Sequence, residues 1–255
     1  MLALFCLRLA FGMLAALLLL SPAQINPRFY RTHFLTALGL GAGALALSWD
    51  VSGLLRAVLG GALLLAFLGS VSWSIEGAPG GRILVVLTAL ALGAALWAAR
   101  SQGGTAVAES LPGSSVLWLL TDDLTSSALL GVALTAMLMG HSYLIAPAMS
   151  LTPLRRLLLG LFVALGLRLT FAAAGLWFWT GAGASATLKE VTLLWLPLRW
   201  GLGFVLPLVL GVMAWQTARI RSTQSATGIL YIVVVFCFLG ELTSQLLFKV
   251  THHFL

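Results

Sequence analysis

Long apolar segments recur along the whole chain, and this repetition limits the folds that the sequence can form. A helix needs about 20 apolar residues to cross the hydrocarbon core of a bilayer. No water is present there, so the backbone must satisfy its own hydrogen bonds, and a helix does so within one segment. The sequence therefore predicts an all-α, polytopic membrane protein in which residues 1–255 form a single helical bundle.

Composition supports this fold class and excludes others. The chain is 60% hydrophobic and 8% charged, whereas soluble domains contain about 25% charged residues. The net charge of +7 comes from Lys and Arg that occur as short clusters between apolar segments. Such clusters are typical of topology signals and of contact with anionic lipid. We therefore expect the lipid bilayer as a partner and no nucleic acid.

Eight spans account for the apolar segments. They are predicted at about 2–21, 29–49, 51–74, 82–100, 124–146, 154–179, 191–216 and 226–250. Only "WDVS" separates spans two and three, so we expect a tight antiparallel hairpin, and a seven-span arrangement is the alternative.

Arg8 interrupts the first apolar segment and no basic segment precedes it. The segment is therefore interpreted as a helix and not as a signal peptide.

Basic residues in the connections predict the orientation. Connections after spans one, three, five and seven contain seven of them: Arg28, Arg31, Arg82, Arg155, Arg156, Arg219 and Arg221. The other side has four, or five with Arg8: Arg56, Arg100, Lys189 and Lys249. Since basic residues favour the cytoplasmic side, both termini are predicted outside the cytoplasm.

No connection is long enough to fold as a catalytic domain. The longest, about 101–123, ends in Asp122 and Asp123, which are predicted at the outer mouth of span five. Cys6 and Cys237 are isolated in apolar segments, and no zinc spacing, nucleotide-binding loop or nucleophile motif occurs. Whether the protein is itself an enzyme stays open at this point, and chemistry is expected inside the bundle or on a partner subunit.

Four ionisable residues lie within the predicted spans: Arg8, Arg168, Arg199 and Glu241. A charge in the membrane is costly and must find a partner, so each is a candidate functional residue. At 1.5 Å rise per residue, all four lie about 10–16 Å from the outer ends of their spans. They form one layer in the outer half of the bilayer. Two interpretations are open: structural ion pairs, with Asp122 and Asp123 balancing the charge, or a pocket for an anionic or carbonyl-bearing ligand such as a quinone.

His33 and His141 form a second candidate site. Both are predicted near the cytoplasmic ends of different spans, at similar depth. Two axial histidines from facing helices would bind a b-type haem, which makes them candidate metal ligands. The alternatives are a quinone or proton-path role for His141 with Tyr143, or packing at the interface.

The last span, "YIVVVFCFLGELTSQLLFKVTHHFL", resembles the closing helix of the membrane anchors of dimethyl-sulfoxide reductase and polysulfide reductase type complexes. The matching step is Gly240, Glu241 and Leu242, followed by Phe248. The resemblance covers about 25 residues and implies eight helices with both ends outside. It also implies a quinone-reactive subunit, with Glu241 as the one transferable site residue, that works beside an iron–sulfur subunit.

Three functions follow as hypotheses. The first is an inner (plasma) membrane subunit of a respiratory or other electron-transfer complex that binds quinone or quinol, with or without a b-type haem, beside redox subunits. The second is a small-molecule or ion transporter, since Pro197 and Pro207 on either side of Arg199 are able to break span seven near a substrate. The third is a structural or assembly subunit of a larger complex. An enzyme acting on lipid is disfavoured, because no paired acids appear.

Overall fold

The computed structural model describes residues 1–47, 52–75, 77, 80–103, 115–146, 149–181 and 190–251. Throughout these residues the regular structure is helical, which confirms the predicted class. The helices are α1 (Leu2–Leu17), α2 (Pro27–Ala46), α3 (Gly53–Ser72), α4 (Gly81–Gly103), α5 (Ser115–Ile145), α6 (Thr152–Gly181), α7 (Glu190–Trp200), α8 (Leu206–Arg219) and α9 (Thr223–Thr251).

Six helical segments in the described part of the chain are long and apolar enough to cross a membrane. They are α3, α4, α5, α6, the continuous segment that contains α8, and α9. The protein is therefore a multi-pass helical membrane protein. Helix α1 has 16 residues, about 24 Å at 1.5 Å per residue, and α2 begins with the polar sequence "PRFYRTH".

Helix α5 is central, since it packs against α1, α6 and α9. Arg8 meets Asp122 and Gly12 meets Ser127, so α1 and α5 run in the same direction. Gly140 of α5 meets Thr227 at the start of α9, so α9 runs the opposite way. We call the end of the bundle where α1 and α5 begin and α9 ends the terminal face. The other end is the opposite face.

Helices α2 and α3 are separate and antiparallel, as the hairpin prediction requires. Gly41 lies against Leu63, whereas Phe34, earlier in α2, lies against Gly69, later in α3. The Asn26 side chain accepts a hydrogen bond from the Arg28 amide at 2.9 Å and so caps the start of α2. The connecting residues 48–51, with Asp50, lie outside the described residues.

Two glycines allow α1 and α5 to touch backbone to backbone. A Cβ atom on Gly12 would be 1.8 Å from the Ser127 carbonyl oxygen, and one on Gly131 would be 1.9 Å from the Gly12 carbonyl carbon. No side chain fits at either position. Small residues at such crossings are how membrane helices pack closely, and this contact holds the Arg8 segment against the first half of α5.

Helix α5 begins at Ser115, whereas the sequence analysis placed its start at about residue 124. The residues before the two aspartates, predicted as part of the longest connection, are therefore helical from Ser115. Asp122 and Asp123 occupy the third turn of a helix and are buried, 4% and 3% exposed. Charged partners from neighbouring helices explain why acidic residues are tolerated at this depth.

The seventh predicted span runs from α7 through a π-helical turn, Gly201–Val205, into α8. Pro197 lies inside α7, and Pro207 follows the π turn in the first turn of α8. From residue 190 to residue 219 the chain stays helical. The unwound segment that the transporter hypothesis expected is absent from this stretch, and a π turn, a feature frequent at functional sites, stands in its place.

Candidate functional site

Arg8 lies at the centre of a buried group of charged side chains. Its side chain is 1% exposed. Its Nε donates to Asp123 Oδ1 at 2.9 Å, its Nη2 donates to the same oxygen at 2.6 Å and also to Asp122, and its Nη1 donates to Glu241. Nη1 also donates to the Ser126 hydroxyl at 3.1 Å. One arginine on α1 thus joins α5 and α9.

Arg168 adds α6 to this group. Its Nη1 donates to Asp122 Oδ1 at 2.7 Å, and its Nη2 donates to Glu241 Oε2 at 3.1 Å. The hydroxyls of Thr125 and Ser244 lie 3.3 and 3.2 Å from the same two nitrogens. Glu241 therefore accepts from a different arginine at each oxygen.

Arg100 joins the last turn of α4 to the same acids. Its Nη2 donates to Asp122 Oδ2, and its Nε lies 3.5 Å from Asp123 Oδ2. The guanidinium also lies 5.5 Å from the centroid of the Phe248 ring, a cation–π distance.

We call Arg8, Arg100, Arg168, Asp122, Asp123 and Glu241 the ion cluster. Its three cations and three anions balance, as burial of charge requires. The network links α1, α4, α5, α6 and α9. Removing one partner from such a network leaves a buried charge uncompensated, which costs about 3–5 kcal/mol.

The structure thus brings together three of the four ionisable residues predicted in one layer, Arg8, Arg168 and Glu241, with Asp122 and Asp123 as their partners. Arg100, at the end of predicted span four, was counted only as a topology signal, and its membership of the cluster was not predicted. The serine and threonine hydroxyls of the cluster were missed as well. Helical spacing could have identified these hydroxyl residues, because side chains three residues apart lie on the same face of a helix. Thr125 and Ser126 follow the two aspartates by three residues, and Ser244 follows Glu241 by three.

Arg199 lies on α7 at the edge of the ion cluster. It is fully buried and close enough to Arg168 and Glu241 to interact with both electrostatically. Its guanidinium carbon lies 4.3 Å from the centroid of the Phe204 ring. Cβ atoms added at Gly203 and Gly240 would lie 2.5 and 3.1 Å from its Nη1. Two glycines, one in the π turn and one on α9, therefore make room for the guanidinium.

Trp200 contacts the same Phe204 ring as Arg199 does. The indole packs edge to face with the Phe204 ring at a centroid distance of 5.5 Å. Its Nε1 is buried and has no hydrogen-bond partner in the part of the chain that the structure describes. Arg199, Trp200 and Phe204 form what we call the α7 site: two N–H donors around one aromatic ring, beside the π turn.

The two candidate haem ligands are in different environments. His33 is buried, its Nδ1 donates to the Phe29 carbonyl at 2.8 Å, and its Nε2 lies 3.3 Å from the Thr135 hydroxyl, which donates to it. His141 follows Thr135 on α5 by six residues, about 9 Å along the helix, and is exposed. Both His33 nitrogens are hydrogen-bonded to protein, whereas His141 is exposed, and the haem hypothesis for this pair stays a prediction.

Tyr143 is buried near the opposite face, where its hydroxyl donates to the Ser150 carbonyl and closes the turn between α5 and α6. Trp177 on α6 is 78% exposed, as an interfacial residue would be. Trp179 is 9% exposed and packs with Leu247. His252 and His253 lie outside the described residues.

The described residues contain no group of three His, Cys, Asp or Glu side chains arranged to hold a metal ion. Fold and site define a multi-pass helical membrane protein with a buried ion cluster. No protein-family model, curated protein or solved structure matches the chain. The resemblance of the last helix to the reductase anchors therefore stays a prediction.

Proposed function

We propose that the protein is a membrane subunit of an electron-transfer complex in the inner (plasma) membrane and that it binds quinone or quinol at the α7 site. The observation behind this proposal is the arrangement of Arg199 and Trp200 around the Phe204 ring, inside a membrane-spanning segment. An ionisable residue inside a membrane span is a candidate functional residue, because such residues commonly mark substrate or ion sites.

The chemistry of the α7 site suits a quinone. A quinone head group is a flat ring with two carbonyl oxygens, and it stacks on aromatic rings and accepts hydrogen bonds from N–H donors. The Trp200 indole N–H is a buried donor that lacks a partner among the described residues, and the Arg199 guanidinium has further N–H groups. The π turn beside them supports a ligand role, since π turns are frequent at functional sites.

Quinone reduction also consumes protons, so a route to water is needed. Glu241 interacts electrostatically with Arg199 and belongs to the ion cluster, which reaches the terminal face through Arg100 at the end of α4. We infer that protons reach the α7 site from this face. Arg168 and Glu241 then tune the charge around Arg199 and do not contact the ligand, because each already binds the other. Haem is not part of the proposal.

A binding experiment tests this function. Decylubiquinone titrated into the purified protein should bind, and Trp200→Phe, which keeps a ring and removes the N–H, should weaken binding about fivefold or more, the value of one hydrogen bond. Trp215→Phe on α8 is the matched control. Equal affinities of the wild type and both variants would exclude the α7 site, and no binding at all would exclude the function.

The ion cluster supports a second candidate, a structural or assembly subunit. Five helices are joined by six charged side chains that bind one another, so the cluster itself needs no ligand. In that case Arg199→Gln and Glu241→Gln would change the amount of assembled complex and leave the turnover of each assembled complex unchanged. Blue-native electrophoresis with activity staining separates these two results.

A further inference from the structure

Two aromatic side chains at the opposite face have buried hydrogen-bond donors without a partner among the described residues. Tyr30 on α2 is 2% exposed, and Trp73 just after α3 is 7% exposed. Their rings stack with centroids 4.2 Å apart and an interplanar angle of 12°. Neither the Tyr30 hydroxyl nor Trp73 Nε1 has a partner in the described ranges. Buried phenol and indole groups normally have a hydrogen-bond partner, so these two donors make this part of the surface a candidate ligand site.

The unused indole donor lies at the first residue of α4. A Cβ atom on Gly81 would be 2.7 and 2.8 Å from two Trp73 ring carbons and 3.2 Å from Nε1. The first hydrogen bond of α4 joins the Leu84 amide to the Gly80 carbonyl, so the amides of residues 81–83 precede it. The first amides of a helix have no partner within the helix, and together with the helix dipole they favour an anion at this end.

Arg82 adds a full positive charge at the same place. Its side chain is exposed and close enough to the Tyr30 hydroxyl to interact electrostatically with it. The acids of the ion cluster are at the terminal face, toward the other end of the bundle. This part of the described structure supplies hydrogen-bond donors and one positive charge, the combination that binds a phosphate group. The groups are Tyr30, Trp73, Arg82 and the start of α4.

The surface next to these donors distinguishes a lipid phosphate from a free one. Directly after Arg82, α4 exposes a row of apolar side chains at helical spacing: Ile83, Val86, Leu87 and Leu90, which are 65, 40, 44 and 64% exposed. They lie on one face of α4 and lead from the donors into the depth of the membrane. Acyl chains attached to a phosphate at Arg82 would lie along this row.

We propose that Tyr30, Trp73, Arg82 and the N-terminus of α4 bind the phosphate of an anionic phospholipid. The Tyr30 hydroxyl and the Trp73 indole N–H donate to its oxygens, and Arg82 neutralises its charge. The acyl chains pack on the exposed apolar row of α4. This site is independent of quinone binding, since it lies on other helices and at the other end of the bundle from the α7 site.

Native mass spectrometry of the purified protein tests the site by titration with phosphatidylglycerol, phosphatidylcholine and inorganic phosphate. Phosphatidylglycerol should bind with the highest affinity. Tyr30→Phe and Trp73→Phe keep the stacked rings and should each weaken its binding about tenfold, the value of a hydrogen bond to a charged group. Arg82→Gln should do the same. Arg31→Gln, exposed on the same side, and Trp97→Phe on α4 are the matched controls.

Three results would overturn the proposal. Unchanged phosphatidylglycerol affinity in both Tyr30→Phe and Trp73→Phe would remove the two aromatic donors from the site. Equal losses of phosphatidylglycerol affinity in Arg31→Gln and Arg82→Gln would mean that a basic surface attracts anionic lipid without a specific site. The third result is that inorganic phosphate binds as tightly as phosphatidylglycerol and that the same variants lose this binding. The site would then be one for free phosphate.

Discussion

At the scale of single residues, Glu241 shows how a membrane-buried charge is made compatible with its surroundings. Each carboxylate oxygen accepts a hydrogen bond from a different arginine, Arg8 or Arg168. Those arginines also bind Asp122, so the loss of one acid disturbs every member of the cluster. The stability of the bundle should therefore depend more on charge balance than on any single pair.

Glu241→Gln tests this dependence. The amide keeps the shape but removes a charge, which leaves an excess of buried guanidinium. We expect a loss of about 3 kcal/mol, or a Tm lower by about 6 °C or more for a chain of this size. The double variant Glu241→Gln with Arg168→Gln removes one charge of each sign and should recover part of that loss. A detergent thermal-shift assay measures both, and an unchanged Tm in the single variant would contradict a balanced network.

Gly203 and Gly201 provide a matched pair within the π turn. A Cβ atom on Gly203 would lie 2.5 Å from Arg199 Nη1, whereas one on Gly201 meets nothing within 4 Å. Gly203→Ala should displace the guanidinium from Phe204 and weaken decylubiquinone binding about tenfold, and Gly201→Ala should leave it unchanged. The comparison is made by titration of the two purified variants. Similar affinities would mean that the position of Arg199 does not matter for quinone binding.

At the scale of helices, the crossing of α1 and α5 sets the geometry of the ion cluster. Gly12 and Gly131 bring the two backbones into contact, and Arg8 reaches its acids from one turn before that contact. Gly131→Ala should prevent the close approach and abolish the folded, monodisperse protein. Gly61→Ala on α3, where a Cβ meets nothing within 4 Å, should fold normally. Fluorescence-detected size exclusion compares the two, and normal elution of Gly131→Ala would show that the crossing tolerates a methyl group.

Helix boundaries also show what sequence reasoning was able to predict. Arg8, Arg168 and Glu241 were placed in one layer by counting residues from the ends of apolar segments, because the rise per residue is fixed. The start of α5 was missed, since "SVLWLLTDD" contains two acids that hydropathy assigns to a connection. Those acids become compatible with a helix only when Arg8, Arg100 and Arg168 neutralise them, and such partners lie up to 115 residues away in the sequence.

The hydrogen bond between His33 and Thr135 was not predictable from the sequence either, because the two residues are 102 positions apart. The depth of His33 was predicted well enough to place it near one end of α2, but depth does not say which side of a helix a residue faces. The structure turns it toward Thr135 on α5. Similar depth therefore suggested a haem site, and the structure adds only that His33 faces α5. Orientation depends on packing between helices, which periodicity alone does not determine.

At the scale of the whole molecule, the eight predicted crossings exceed the six helical segments that are long and apolar enough to span a membrane. Helices α1 and α5 run in the same direction, and α2 and α3 run in opposite directions, as their contacts show. The short α1 and α2, with its polar start, are the two predicted spans that are not among those six. The ion cluster argues for α1 as a span, because Arg8 sits at the same level as residues of α5, α6 and α9.

Cysteine labelling in intact cells tests whether α2 crosses the membrane, as the prediction of eight spans requires. In a variant without Cys6 and Cys237, cysteines replace Gln24, before α2, and Leu47, after it, both exposed. Eight spans with both termini outside predict that Leu47→Cys reacts with an impermeant maleimide and that Gln24→Cys reacts only after permeabilisation. Ser101→Cys and Ser225→Cys calibrate the outer and inner sides. If both test positions react on one side, α2 does not cross the membrane. If all four patterns are reversed, the termini are cytoplasmic, and the basic residues of the connections do not set the orientation of this chain.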